Sequence, residues 1–96
     1  MSNPLALVIE DDAAVADAYI EALREAGFET EVALNGNAGL ARLAATTPDL
    51  VVLDMRLPFV SGTEILRQIR ANERLKQTRV IITTGDSQMA AALEDE

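Results

Sequence analysis

Cysteine and histidine are both absent from the 96 residues. That removes disulfides, thiolate nucleophiles, Cys-based metal sites and the side chain that most often serves as general base or metal ligand. Any metal held here must be a hard cation bound through oxygen. Tryptophan is missing too, and Tyr19, Phe28 and Phe59 are the only aromatics, so the core has to be aliphatic. Positive charge is scarce: eight Lys and Arg stand against sixteen Asp and Glu, for a net charge of −8, and Lys76 is the single lysine. Such a chain repels phosphate backbones and anionic lipid, and neither nucleic-acid nor membrane binding is expected. No apolar run approaches the length of a bilayer span, and Met1-Ser2-Asn3-Pro4 lacks the blocks of a signal peptide. A cytoplasmic location is the expectation.

What is present fits one small globular domain over residues 1–96, with 49% hydrophobic and 25% charged residues. Leu50-Val51-Val52-Leu53 is an unbroken apolar run with β-branched residues, as a parallel strand buried on both faces requires. Asp54 follows at its carboxyl end, where open α/β sheets bind ligands. Leu5-Ala6-Leu7-Val8-Ile9 is a second such run, and it ends in Glu10-Asp11-Asp12.

Between these strands the period changes. Val15, Tyr19, Ala22, Leu23 and Ala26 recur at helical spacing, with Asp12 as N-cap and Gly27 as the residue after the C-cap. Glu29 to Ala33 alternates weakly, as an edge strand does. Asn35-Gly36-Asn37 opens a second helix to about Thr46, with Leu40, Leu43 and Ala44 on its apolar side. Ser61-Gly62-Thr63-Glu64 reads as a capping box for a third helix carrying Ile65, Leu66 and Ile69 to about Asn72. Glu73 to Thr78 reads as a polar connection, Arg79 to Thr84 as a fourth strand, and Gly85-Asp86-Ser87 leads into a short last helix. Strand and helix alternate four times, which implies a parallel sheet with helices on both faces.

With the first and third strands as neighbours, Glu10, Asp11 and Asp54 converge. Two unit charges about 4 Å apart repel by about 4 kcal/mol at an effective dielectric near 20, so the cluster calls for a counter-charge. Oxygen-only ligands favour Mg²⁺ or Mn²⁺. Beside such an ion a carboxylate can attack phosphorus and become an aspartyl phosphate. The competing reading is a solvated acidic rim.

Val8-Ile9-Glu10-Asp11-Asp12, Val51 to Pro58 with Gly62 beyond, and Val80-Ile81-Ile82-Thr83-Thr84-Gly85 together resemble the receiver domain of two-component response regulators. The resemblance covers essentially the whole chain, and from it comes the strand order 2-1-3-4 of a doubly wound, flavodoxin-like sheet. It implies that Asp54 is the phosphoacceptor for a sensor histidine kinase or phosphotransfer protein. It further implies that Asp11 is a direct metal ligand, Glu10 an acidic partner acting through water, and the Arg56 carbonyl the completion of the metal site. Thr84 matches the switch hydroxyl and Gly85 the residue whose amide stays reachable. At most self-phosphorylation and autodephosphorylation are expected, not enzymatic turnover.

Receivers continue into a fifth strand ending in a lysine and then a fifth helix, and this sequence stops at its fourth helix. Lys76, before the fourth strand, lies at the wrong end of the sheet to replace that lysine. The expectation is a truncated, stand-alone receiver with slower acyl phosphate formation. Its fourth strand becomes an unprotected edge, and the face that a fifth helix would cover stays bare; a homodimer burying both is expected. Two other functions compete. One is a phosphate-independent module that dimerises or sequesters a kinase; the other, a Mg²⁺-dependent phosphohydrolase, would need a carboxylate where Arg56 stands.

Overall fold

The computed structural model describes residues 3–83. Four five-residue strands, Leu5–Ile9 (β1), Glu29–Ala33 (β2), Leu50–Asp54 (β3) and Arg79–Thr83 (β4), form one sheet among the described residues. Every pairing is parallel and the order is β2-β1-β3-β4. This is the doubly wound order that the resemblance implied. Helices Ala13–Glu25 (α1), Gly36–Ala45 (α2) and Gly62–Ala71 (α3) connect the strands, and a single 3-10 turn, Glu73–Leu75, precedes β4.

Alternation along the strands sends side chains to opposite faces. Leu7, Ile9, Val51 and Leu53 meet Leu43 of α2 and Ile65 and Ile69 of α3 in the larger core. On the other face Val8 and Val52 meet Ala16, Tyr19, Ile20 and Leu23 of α1. The helices therefore cover both faces, and the core is aliphatic as its composition requires. β1 and β3 lie at the centre and are almost wholly buried, which is why both are continuous apolar runs.

The helix ends follow the local signals. Asp12 accepts from the Ala14 and Val15 amides at 3.0 and 3.3 Å, and the Asn35 side chain accepts from Ala38 N–H at 2.7 Å. Gly27 takes φ +96°, so that Gly27 N–H reaches the Arg24 carbonyl and Phe28 N–H the Leu23 carbonyl, both at 3.0 Å. This reciprocal pair closes α1 at the residue expected. Of the capping box on α3, one half forms: Ser61 Oγ accepts from Glu64 N–H at 3.2 Å. The Glu64 carboxylate turns instead toward Arg67 and Gln68.

Two expectations are corrected. The buried stripe of α1 is Ala16, Tyr19, Ile20 and Leu23, whereas Val15, Ala22 and Ala26 are exposed. A small side chain lets the helix come close to the sheet, and Val15 is thereby rotated toward the carboxyl edge. The connection before β4 is likewise not merely polar. Leu75 is only 2% exposed and belongs to the larger core, held by a turn in which Arg74 donates to the Thr46 carbonyl at 2.7 Å and to the Leu43 carbonyl. The last helix, Thr84 and Gly85 lie outside the described residues.

Candidate functional site

The site is assembled by the parallel register of β1 and β3. Val8 pairs with Val52 and Ile9 with Leu53, so the residues that follow Ile9 and Leu53 emerge side by side at one edge of the sheet. There Glu10, Asp11 and Asp54 each bring a carboxylate oxygen within 4.8 Å of the others. The three residues that the sequence nominated are together. Glu10 and Asp54 are each only 8% exposed, while Asp11 stands in solvent.

Backbone donors fix the carboxylates. Arg56 N–H donates to Asp54 Oδ1 at 2.9 Å, and Asp12 N–H reaches Glu10 Oε2 at 3.4 Å. Behind Asp54, the start of α3 packs so closely that a Cβ on Gly62 would lie 2.5 Å from the Asp54 carbonyl oxygen. Only glycine fits there, and the contact locks the strand end to the helix. Asp12 does not join the cluster; its side chain is spent capping α1.

Burial and the neighbouring acids act together on Glu10. Burial first, then hydrogen bonding with Asp54 and with Asp11, push its carboxyl from 4.5 up to about 7, against a smaller lowering by the Asp12 N–H. The donor set supplies oxygen alone, from three carboxylates within reach of one centre, and so fits a hard divalent ion.

A cleft of about 350 Å³ opens over the cluster, lined by Val15, Tyr19, Arg56 and Thr83 besides the acids. Thr83 pairs with Asp54 across β3 and β4, and its carbonyl accepts Met55 N–H at 3.0 Å. Thr84, expected to carry the switch hydroxyl, lies outside the described residues. The sequence reading missed Tyr19 and Val15 as walls, because both read as helix core. The period alone cannot separate an inward position from one at the end of the sheet.

An open parallel sheet with an acidic cleft at its carboxyl edge defines a doubly wound α/β domain whose candidate ligand site lies at the strand ends. Comparison with known proteins narrows it. The family model for the response regulator receiver domain matches residues 6–95. The sensory transduction protein RegX3 of Mycobacterium tuberculosis is 36% identical over 83 residues, covering 86% of this chain and 36% of that protein. Among solved structures, the CheY-like receiver domain from Methylobacillus flagellatus aligns at TM-score 0.82 and 28% identity, covering 96% of this chain and 81% of its own. The response regulator TrrA from Thermotoga maritima, in complex with Mg(2+)-BeF, aligns at TM-score 0.84 and 30% identity over 96% and 78% of the two chains.

The chain belongs to the response regulator receiver domain family, the signalling module of two-component systems. It spans little more than a third of the length of RegX3. No helix among the described residues is long and apolar enough to cross a membrane.

Proposed function

We propose that this domain accepts a phosphoryl group on Asp54 from a sensor histidine kinase or phosphotransfer protein, or from a small phosphodonor. One observation carries the proposal: Asp54 ends a central strand, nearly buried, with the carboxylates of Glu10 and Asp11 within 4.8 Å. Nothing in the packing of the core calls for that concentration of charge. In the reaction an Asp54 oxygen attacks phosphorus, and the P–N bond of phosphohistidine or the P–O bond of acetyl phosphate breaks. The leaving imidazole takes up a proton, or acetate departs with the electron pair, and Asp54 is left as an acyl phosphate.

Glu10, Asp11, Asp54 and the Arg56 carbonyl would hold Mg²⁺ or Mn²⁺. When bound, the ion offsets the charge of the carboxylates and of the phosphoryl oxygens. The Arg56 N–H bond to Oδ1 restrains the Asp54 carboxylate, and the cleft admits the donor beside Tyr19 and Thr83. The Thr84 hydroxyl and the Gly85 amide receive the phosphoryl oxygen. The domain turns over no other substrate: beyond accepting the group and losing it to water, it signals by conformation. It acts in the cytoplasm and binds neither nucleic acid nor membrane, consistent with its net charge of −8.

A homodimer follows from β4, whose outer edge is unpaired among the described residues and whose Ile81 is 51% exposed. Light scattering at high concentration checks it, and a well-folded monomer counts against it.

Incubation with Mg²⁺ and acetyl phosphate, read by intact mass, tests the central proposal, with beryllofluoride-induced NMR shifts as a second reading. A single adduct that disappears in Asp54→Asn is expected. If the parent chain gains none, the phosphoacceptor role falls.

A further inference from the structure

Along a parallel ladder alternate residues turn both N–H and C=O toward the same neighbour. Arg79 N–H donates to the Asp49 carbonyl, and the Thr83 carbonyl accepts from Met55 N–H, both at 3.0 Å. Arg79, Ile81 and Thr83 thus spend their backbone groups on β3. Val80 and Ile82 point theirs outward, on an edge that is unpaired among the described residues. Neither proline, lysine nor a bulge blunts that edge, and Ile81 leaves 51% of its surface in solvent.

A second copy of the same strand satisfies every one of these outward groups in one antiparallel register. Centred on Ile81, it sets Val80 against the partner's Ile82 and Ile82 against the partner's Val80. The two Ile81 side chains meet in the close pair between them. Sliding toward the start of the strand calls on Thr78, whose N–H is already given to the Leu75 carbonyl.

This register carries a charge to the acidic cleft. Arg79 opens β4 at the amino edge of its own sheet, but in the antiparallel pair it comes opposite Thr83 of the other copy, on the same face. Thr83 in turn pairs with Asp54 across β3 and β4 and lines the cleft. Two strand spacings, about 10 Å, then separate the Cα of Asp54 from that of the partner's Arg79. An arginine side chain matches two extended residues in length, about 7 Å, and Asp54 carrying a phosphoryl group covers the rest. The cleft has the matching need. Among the described residues its lining sets Glu10, Asp11, Asp12 and Asp54 against one basic residue, Arg56, and a phosphoryl group adds about two further negative charges. Arg79 is exposed and makes no ion pair among the described residues.

We infer that two copies of this chain pair β4 to β4 and that each supplies Arg79 to the other's Asp54, as the cation facing the phosphoryl oxygens. The inference rests on the phosphoacceptor reading of Asp54.

Because the chain has no cysteine, an introduced one reports the register. Ile81→Cys should close a disulfide between copies under mild oxidation, since facing Cα atoms in such a pair stand about 4.5 Å apart, and Ile82→Cys, off the centre, should not. At a concentration where the parent sediments as a dimer, Arg79→Ala should be labelled by Mg²⁺ and acetyl phosphate at least tenfold more slowly than the parent. Mixing it with excess Asp54→Asn, which takes no label but keeps Arg79, should restore labelling, and the double variant Asp54→Asn, Arg79→Ala should not. An arginine with a merely structural role gives no such rescue. Three results overturn the inference: a parent that stays monomeric at millimolar concentration, no crosslink through Ile81→Cys, or labelling of Arg79→Ala that is undiminished or not rescued. If the parent takes no label while Ile81→Cys crosslinks, the phosphoacceptor reading is what falls, and the arginine's role with it.

Discussion

Replacing Glu10 by glutamine should stabilise the metal-free protein, although it alters a nearly buried polar residue. In the folded chain Glu10 holds its proton up to about pH 7, against an ordinary value of 4.5. An acid whose folded pKa is raised contributes stability that is fully present below the unfolded value. That contribution disappears as pH climbs through the folded one. At 1.36 kcal/mol per pH unit, the ionised group costs about 3 kcal/mol above pH 7 relative to pH 4.5. For a domain of this size the whole folding free energy is about 5–15 kcal/mol. The loss is a large share of it.

Glutamine mimics the protonated acid. Its carbonyl can accept the Asp12 N–H that now reaches Glu10 Oε2 at 3.4 Å, and its amide can donate to Asp54. Urea unfolding in EDTA should therefore show parent and Glu10→Gln nearly equal at pH 4.5 and separated by about 3 kcal/mol at pH 8, with the variant more stable. The difference between the two curves removes the titrating groups that do not contact Glu10, leaving Glu10 together with its neighbours Asp54 and Asp11. Parallel curves, or a parent that gains on the variant between pH 5 and 8, would refute the reasoning. Mg²⁺ should reverse the ranking at pH 8, since a cation offsets the very charge that glutamine removes. At pH 7 its binding to the parent should release about half a proton, measured by calorimetry in buffers of different ionisation enthalpy.

Further outcomes follow from neighbouring residues. Asp11→Ala, an exposed ligand, should lower Mg²⁺ affinity at least about tenfold in a fluorescence or NMR titration while leaving the urea midpoint unchanged; equal affinity would remove Asp11 from the site. Gly62→Ala places a Cβ 2.5 Å from the Asp54 carbonyl. It should destabilise by about 3 kcal/mol and slow acetyl phosphate labelling together, and a neutral result would show that the helix start can retreat. Leu75→Ala should cost about 2–5 kcal/mol by thermal unfolding, whereas an exposed loop leucine would cost almost nothing.

Some of this was readable before any coordinates. β1 and β3 are buried on both faces, so their apolar runs are unbroken and their carboxyl ends stand out as Glu10 and Asp54. The caps Asp12, Asn35 and Ser61 act within three residues, and such signals survive in one dimension. The strand order did not follow from period; it came from the resemblance to receivers. The rotation of α1 was misread because alanine weighs little in a hydrophobic pattern, yet Ala16 is what lies against the sheet. Leu75 was hidden because one 3-10 turn among polar residues has no period at all. The raised pKa of Glu10 is a tertiary property, set first by burial and then by Asp54, and a phenylalanine gives no residue-type signal of the positive φ at position 59.

The two costly features of this fold sit at one edge of the sheet, and they are of different kinds. Around Glu10 the expense is electrostatic, and a cation or a proton relieves it. At Phe59 it is steric and hydrophobic, a positive φ beneath a ring that stays in solvent. Both are carried by a loop and strand ends anchored at Gly62 and the Asp54 backbone, while the opposite edge holds Pro48, Thr78 and Leu75 in satisfied, buried contacts. Stability gathered at one end of a parallel sheet is what permits unfavourable chemistry at the other. A cation or a proton relieves the charge at this edge, while the Phe59 ring stays fully exposed.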